Sequence, residues 1–371
     1  MAPPSKNLRR LSRPAEWLAR GILVIFSLLV TLAGLELACR AYRGPEWLAR
    51  WPNFITHQRS VFQGELQRQF VFDATLGYVP RPDFRSARVN HDERGMRVSP
   101  SGPGEQLDTP PVLVTGDSFA YGDEIADAET WPTMLQALLH RQTLNAGVVG
   151  YGLDQIVLRT EQQAAVAAPA LVPAAIVASF IADDLRRNEY SHAWGKEKPY
   201  FTLAPDGTLV LRNVPVPQDA DRASGLSFLQ RALGWSALAE IVMRRLGNAY
   251  EWQGAGARAT PAGSGETLAC PLMQRLARIG VPTLVVGLYA PSVWRLDPRP
   301  QWVIDEIRQT RQTLACAAAA GLATLDMYDT LDKAVRERGR DAIFFNFHVS
   351  AEGNRHIAAA VAAELARRHL P

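Results

Sequence analysis

Two side chains far apart in the chain have the types needed for nucleophilic catalysis. Ser118 follows the apolar run Pro111-Val112-Leu113-Val114-Thr115 and the pair Gly116-Asp117, and a helix-like segment opens after it. The run reads as a buried strand that delivers a hydroxyl to the carboxyl edge of a parallel sheet, where such sheets bind ligands. Gly116 suits a sharp turn out of the strand. The same residues also fit a plainer role, with Asp117 and Ser118 capping the next helix. The second side chain is His348, in Phe344-Phe345-Asn346-Phe347-His348-Val349-Ser350, ahead of a helix whose apolar face carries Ile357, Ala358, Val361 and Leu365. A histidine held there can take the proton of a serine on another strand end, which a serine nucleophile requires near neutral pH. Read alone, it is an ordinary histidine at a helix start.

The elements that must position these groups alternate along the chain. Trp131, Met134, Leu135, Leu138 and Leu139 recur at helical spacing over residues 129–140. A short strand over 143–149 ends in glycines and leads to a helix reaching about residue 168. Residues 174–181 form a strongly buried strand that runs into Asp183-Asp184-Leu185-Arg186-Arg187-Asn188. After an interruption, a helix at 272–279, a strand at 282–288, a helix at 301–320 and a strand at 323–327 follow, with the last helix after Ser350. Five parallel strands separated by helices predict an α/β, three-layer, doubly wound sheet. The interruption, 195–265, reads as an insertion beside the substrate entrance. It contains a hairpin around Asp206-Gly207, an amphipathic helix at 226–246 and a Gly, Ala and Ser-rich mobile loop at 248–265. Ahead of the sheet, 73–97 reads as a small β-rich lead-in, with His91 as a solvated loop residue.

With these blocks in this order, the chain from about residue 73 onward resembles an SGNH (GDSL-type) hydrolase of the membrane-anchored bacterial kind. The first block corresponds to Gly116-Asp117-Ser118-Phe119, with Ser118 as nucleophile. The second corresponds to Asn145-Ala146-Gly147-Val148-Val149-Gly150, with the Gly150 amide in the oxyanion hole beside that of Ser118. The third, normally Gly-x-Asn-Asp, corresponds to Ile181-Ala182-Asp183-Asp184, and the last to Asn346-Phe347-His348, with His348 as base. Two positions depart from the pattern. Asp183 stands where the family carries an oxyanion-donating asparagine, and an ionised carboxylate donates nothing. Burial beside Asp184 offers one remedy, by keeping the Asp183 carboxyl protonated so that it can donate; Asp117 and Asp184 are the neighbouring site candidates. Asn346 stands where an aspartate orients the imidazole; the nearby Asp341 is a candidate substitute.

The resemblance implies an esterase or deacetylase acting on small acyl esters, often acetyl groups of a carbohydrate, through an acyl-serine. Two alternatives stay open: an O-acyltransferase of an exopolysaccharide, and a catalytically impaired glycan-binding module. No cofactor and no metal are expected.

The 371 residues carry a net charge of +3, with no basic face that argues for nucleic acid. Lys6, Arg9, Arg10, Arg13 and Arg20 precede an uncharged run from Gly21 to Leu35, which Glu36, Arg40 and Arg43 close. This predicts an uncleaved anchor in the lipid bilayer of the cytoplasmic membrane, with Arg20 and Arg40 snorkelling to the interfaces and the later residues outside. The expected organisation is a cytoplasmic tail (1–20), a transmembrane anchor (21–42), a stalk and lead-in (43–110), and the hydrolase-like domain (111–371). Cys270 and Cys316 form a disulfide if the domain is exported; two solitary thiols are the commoner explanation.

Overall fold

The computed structural model describes residues 13–44, 46–49, 53, 55, 68–102, 109–166, 172–193, 195–218, 227–253, 256–295, 298–345 and 347–370. The chain divides into two compact units, one of residues 1–60 with 224–254 and one of residues 61–223 with 255–371.

The larger unit is built on five strands, β1 (Val112–Thr115), β2 (Thr143–Asn145), β3 (Ala175–Phe180), β4 (Thr283–Gly287) and β5 (Ala323–Asp326). All pair in parallel, in the order β5-β4-β3-β1-β2. Successive side chains enter opposite faces. Leu113, Ile176, Ala178 and Val285 pack with the helices Leu153–Val166 and Ala269–Ala277, while Val112, Val114, Val177, Leu284 and Val286 pack with Trp131–Leu139 and Ala351–Arg367. A sheet covered on both faces needs continuous apolar strands, which is why these read so clearly in the sequence. Because β2 lies to one side of β1 and β3 to the other, the winding reverses between β1 and β3. The crevice outside their carboxyl ends is where this topology places ligands.

Several local expectations change. The hairpin Tyr200–Leu203 with Leu209–Arg212 forms around Asp206-Gly207 as its turn chemistry demands. The single helix expected at 226–246 is two, Phe228–Leu233 and Ala237–Arg245, and both belong to the smaller unit. Each has its own serine cap, with Ser227 accepting from Gln230 N–H and Ser236 from Ala239 N–H, so the chain restarts its helix instead of continuing it. Within 248–265, expected as a mobile loop, a strand Gly256–Arg258 pairs antiparallel with Tyr190–Ala193. Glu189 gathers that stretch, accepting from Gly263 N–H (2.6 Å) and Gly265 N–H (3.3 Å). His91 is buried, not solvated: its Nε2 lies 2.8 Å from Tyr121 Oη and its Nδ1 2.9 Å from the Arg81 carbonyl. Burial holds its pKa below the usual histidine value. Cys270 and Cys316 form a disulfide between the helices Ala269–Ala277 and Gln301–Ala319, so they are not solitary thiols.

In the smaller unit one helix, Arg13–Arg43, is long and apolar enough over Glu16–Tyr42 to cross a membrane. Arg40 does not snorkel. It is buried, with Nε 2.6 Å from Glu36 Oε1 and Nη2 donating to the Trp235 carbonyl at 2.6 Å.

Candidate active site

Ser118 stands at the first position of a single helical turn, Ser118–Tyr121, directly after β1. Asp117 caps that turn by accepting from Phe119 N–H (2.9 Å), so the plainer reading of the Gly-Asp-Ser run is also fulfilled. The turn is pressed against its neighbours: a Cβ on Gly116 would sit 2.5 Å from Ser179 Oγ and 2.7 Å from the Ala120 methyl, and one on Gly147 would sit 2.4 Å from Tyr121 N. Glycine is required at both positions by this close approach.

The Gly150 loop is tied to the same turn. Val148 N–H donates to the Gly116 carbonyl (3.0 Å) and Asn145 Nδ2 to the Ala120 carbonyl (3.0 Å). From the lead-in, Tyr78 Oη donates to the Val149 carbonyl (2.7 Å), and Tyr151 Oη returns a bond to Tyr78 (2.5 Å). Gly150 is buried with φ +80°. As the first residue of its helical turn, Ser118 has an N–H with no intrahelical acceptor.

His348 reaches this edge from the loop before the C-terminal helix. The loop is cinched by Phe345 N–H to the His348 carbonyl (2.8 Å) and Ser350 N–H to the Ile343 carbonyl (2.9 Å). His348 Nε2 lies 2.9 Å from Ser118 Oγ, and its ring meets Phe119 edge to face. Its Nδ1 lies 3.2 Å from Glu124 Oε2. Burial alone would lower the His348 pKa, but the charges of Glu124, Asp123 and Asp117 outweigh it and hold the imidazole above the usual histidine value. Glu124 is correspondingly held below the usual carboxylate value, chiefly by His348.

Glu124 was not among the sequence candidates. Asn346 lies outside the described residues, and Asp341 does not substitute for an orienting acid: its exposed carboxylate pairs with Arg340. Glu124 adopts a left-handed backbone, φ +71°, in a loop fixed from below by the buried Arg97. That guanidinium donates to the carbonyls of Tyr121 (2.8 Å) and Ile125 (2.6 Å) and to Asp127 Oδ1 (2.8 Å). The only sequence signal for Glu124 is its place six residues after the serine; the contact with His348 spans most of the chain.

Arg187 is the other residue not anticipated. It gathers the acidic block, lying 2.6 Å from Asp184, 2.9 Å from Asp183 and 3.7 Å from Asp117. Spacings of three and four residues from Asp184 and Asp183 on one helix were its legible signal. Asp183 also pairs with Arg186, so its carboxyl oxygens face two guanidinium groups. Burial pushes the Asp117 carboxyl up, against the pull of Arg187. Asp184 is pushed well above the usual range by burial and by Asp117. No cluster of metal-ligating side chains occurs among the described residues.

No protein-family model and no curated protein matches the sequence. Among solved structures, the chain is similar to a lipolytic protein of the G-D-S-L family from Veillonella parvula, with 15% identity, a TM-score of 0.39, and coverage of 69% of this chain and 98% of that one. It is similar to a catalytic mutant of Axe2, an acetylxylan esterase from Geobacillus stearothermophilus (11% identity, 70% and 96% covered, TM-score 0.43). A third is LAE5, an alpha/beta hydrolase enzyme from the metagenome of Lake Arreo (13% identity, 70% and 97% covered, TM-score 0.42). The larger unit is thus the helix-flanked, five-stranded parallel sheet that the SGNH (GDSL-type) resemblance implies, and it brings Ser118 and His348 together at one sheet edge.

Proposed function

We propose that the protein is a serine esterase or deacetylase acting outside the cytoplasmic membrane on small acyl esters, acetyl above all, of a carbohydrate. The observation that carries the reading is the 2.9 Å approach of His348 Nε2 to Ser118 Oγ, with Glu124 facing the other ring nitrogen. Ser118 Oγ attacks the ester carbonyl carbon while His348 takes the hydroxyl proton. The carbonyl oxygen becomes an oxyanion held by the N–H groups of Ser118 and Gly150, and the charged imidazole is steadied by Glu124. His348 then protonates the departing sugar oxygen, which leaves an acyl-serine. Water activated by His348 releases the acid and restores Ser118.

Ser118 is only 4% exposed, which suits a small acyl group better than a bulky one. The carbohydrate part of the reading comes from the SGNH resemblance. The basic flank before residue 21 and the Cys270–Cys316 disulfide support a position outside the membrane, since disulfides persist in oxidising compartments. If a sugar hydroxyl replaces water in the second half, the same acyl-serine makes an O-acyltransferase. The ion-paired Asp183 favours the third reading, an impaired glycan-binding module.

Incubating the detergent-solubilised full chain with p-nitrophenyl acetate, with and without an oligosaccharide acceptor, separates these. The esterase releases p-nitrophenol and acetate alike in both mixtures, and Ser118→Ala abolishes release. A transferase speeds up with acceptor and yields acetylated sugar. A binding module releases nothing above the Ser118→Ala level.

A further inference from the structure

The spanning helix carries two charges near its outer end, Glu36 and Arg40, where an unpaired charge at the lipid boundary is costly. Glu36 lies eight residues, about 12 Å, beyond Leu28 in the middle of the apolar run, close to the edge of a hydrocarbon core with a half-thickness of about 15 Å. Both charges are satisfied by one helix start in the same compact unit. Glu36 accepts from Ser236 Oγ (2.7 Å), Ala237 N–H (2.9 Å) and Leu238 N–H (3.0 Å), and Arg40 donates to the Trp235 carbonyl. These N–H groups open the helix Ala237–Arg245 and have no partner within it. The node therefore fixes the helix pair 227–246 to the spanning helix at the depth of the membrane edge.

The pair hides little of its apolar surface within the molecule. The helix Phe228–Leu233 has no buried residue, and Phe228 is 75% exposed. Leu229, Leu233, Val242 and Leu246 are exposed as well. A six-residue helix is too short to be stable by itself in water. The spanning helix is itself open along its apolar run, with Leu23 and Phe26 exposed. Arg231, Arg244 and Arg245 lie among these apolar residues, the pairing seen in helices that rest in a headgroup layer.

We infer that the helix pair 227–246 is a second membrane contact, docked by Glu36 and Arg40 and resting Phe228, Leu229, Val242 and Leu246 in the headgroup boundary of the outer leaflet. This rests on the reading of Arg13–Arg43 as membrane-spanning. This part of the insertion would then serve attachment, not the substrate entrance expected for it.

The test places single nitroxide labels on the full chain in a Cys39→Ser background, reconstituted in vesicles of phosphatidylcholine and phosphatidylglycerol. Labels go at Val24→Cys, Phe228→Cys, Leu246→Cys and, as a water control, Arg355→Cys. Collision rates with oxygen, which prefers lipid, and with a nickel chelate, which stays in water, report depth. The expected result is a deep label at 24, shallow but oxygen-favoured labels at 228 and 246, and a nickel-favoured label at 355. If 24 is deep while 228 and 246 match 355, the contact is wrong and the spanning helix stands. Labels at 228 and 246 shielded from both reagents mean a protein partner, which also overturns the inference. A nickel-accessible label at 24 removes the spanning reading and the inference together.

Discussion

His348 is held between a hydroxyl it must deprotonate and a carboxylate that favours its charged form. Because its pKa stands above the usual histidine value, the imidazole is protonated, and unable to act as base, further up the pH scale than a free histidine. The sign follows: esterase rate rises with pH through that raised pKa and then levels. The same pair stabilises the fold where both partners are charged: its contribution is lost as pH falls through the lowered Glu124 pKa and as pH rises through the raised His348 pKa, so the active form is the less stable one. Glu124→Gln should lower kcat by up to about 10⁴-fold, the loss seen when the orienting acid becomes its amide in the serine-protease template. It should also shift the rising limb to lower pH, because burial then meets less opposition; a pH profile of p-nitrophenyl acetate hydrolysis checks both. Asp183→Asn tests the other departure. Restoring an amide at the oxyanion position should raise kcat by at least about 10-fold, less than the about 100- to 1000-fold worth of a full donor, because Arg186 and Arg187 lose an ion-pair partner. Ser118 and His348 were legible in the sequence because each closes or opens a strongly patterned element. Glu124 was not, since nothing local marks a glutamate in a turn as the partner of a histidine more than two hundred residues away.

At the scale of elements, the loop 121–127 decides where Glu124 points. A non-glycine residue at φ +71° costs on the order of 1 kcal/mol and persists only where its surroundings hold it. Arg97 supplies that hold, with several backbone carbonyls and Asp127 around one buried guanidinium. Arg97→Met leaves Asp127 buried without its cation, which should cost about 3–5 kcal/mol. Denaturant unfolding measures that loss, and the surviving folded fraction should show the acid-shifted profile of Glu124→Gln. The elements that were legible are those whose pattern repeats: the buried strands and the helices with one apolar face. The stretch 248–265 was misread because its glycines and small residues look like a loop. Its last residues are held by Glu189, a polar residue outside the stretch whose side chain accepts from Gly263 and Gly265 N–H. Arg40 was misread for a similar reason, its partner being a carbonyl 195 residues away.

For the whole molecule, the strand order puts the winding reversal between β1 and β3, and the loops after these strands carry Ser118 and the acidic block. Fold class could be reached from alternation alone, and the order of motif blocks sharpened it. The division into units could not, because the chain leaves the larger unit at about residue 224 and returns at 255 to build the smaller one. The central claim is that this edge holds an activated serine. The most direct test is to treat the full-length protein with a fluorophosphonate probe at pH 8 and locate the adduct by mass spectrometry. The account predicts one adduct, on Ser118, lost in His348→Ala and slowed in Glu124→Gln. A folded wild-type protein that stays unlabelled, or that is labelled as fast without His348, would contradict it.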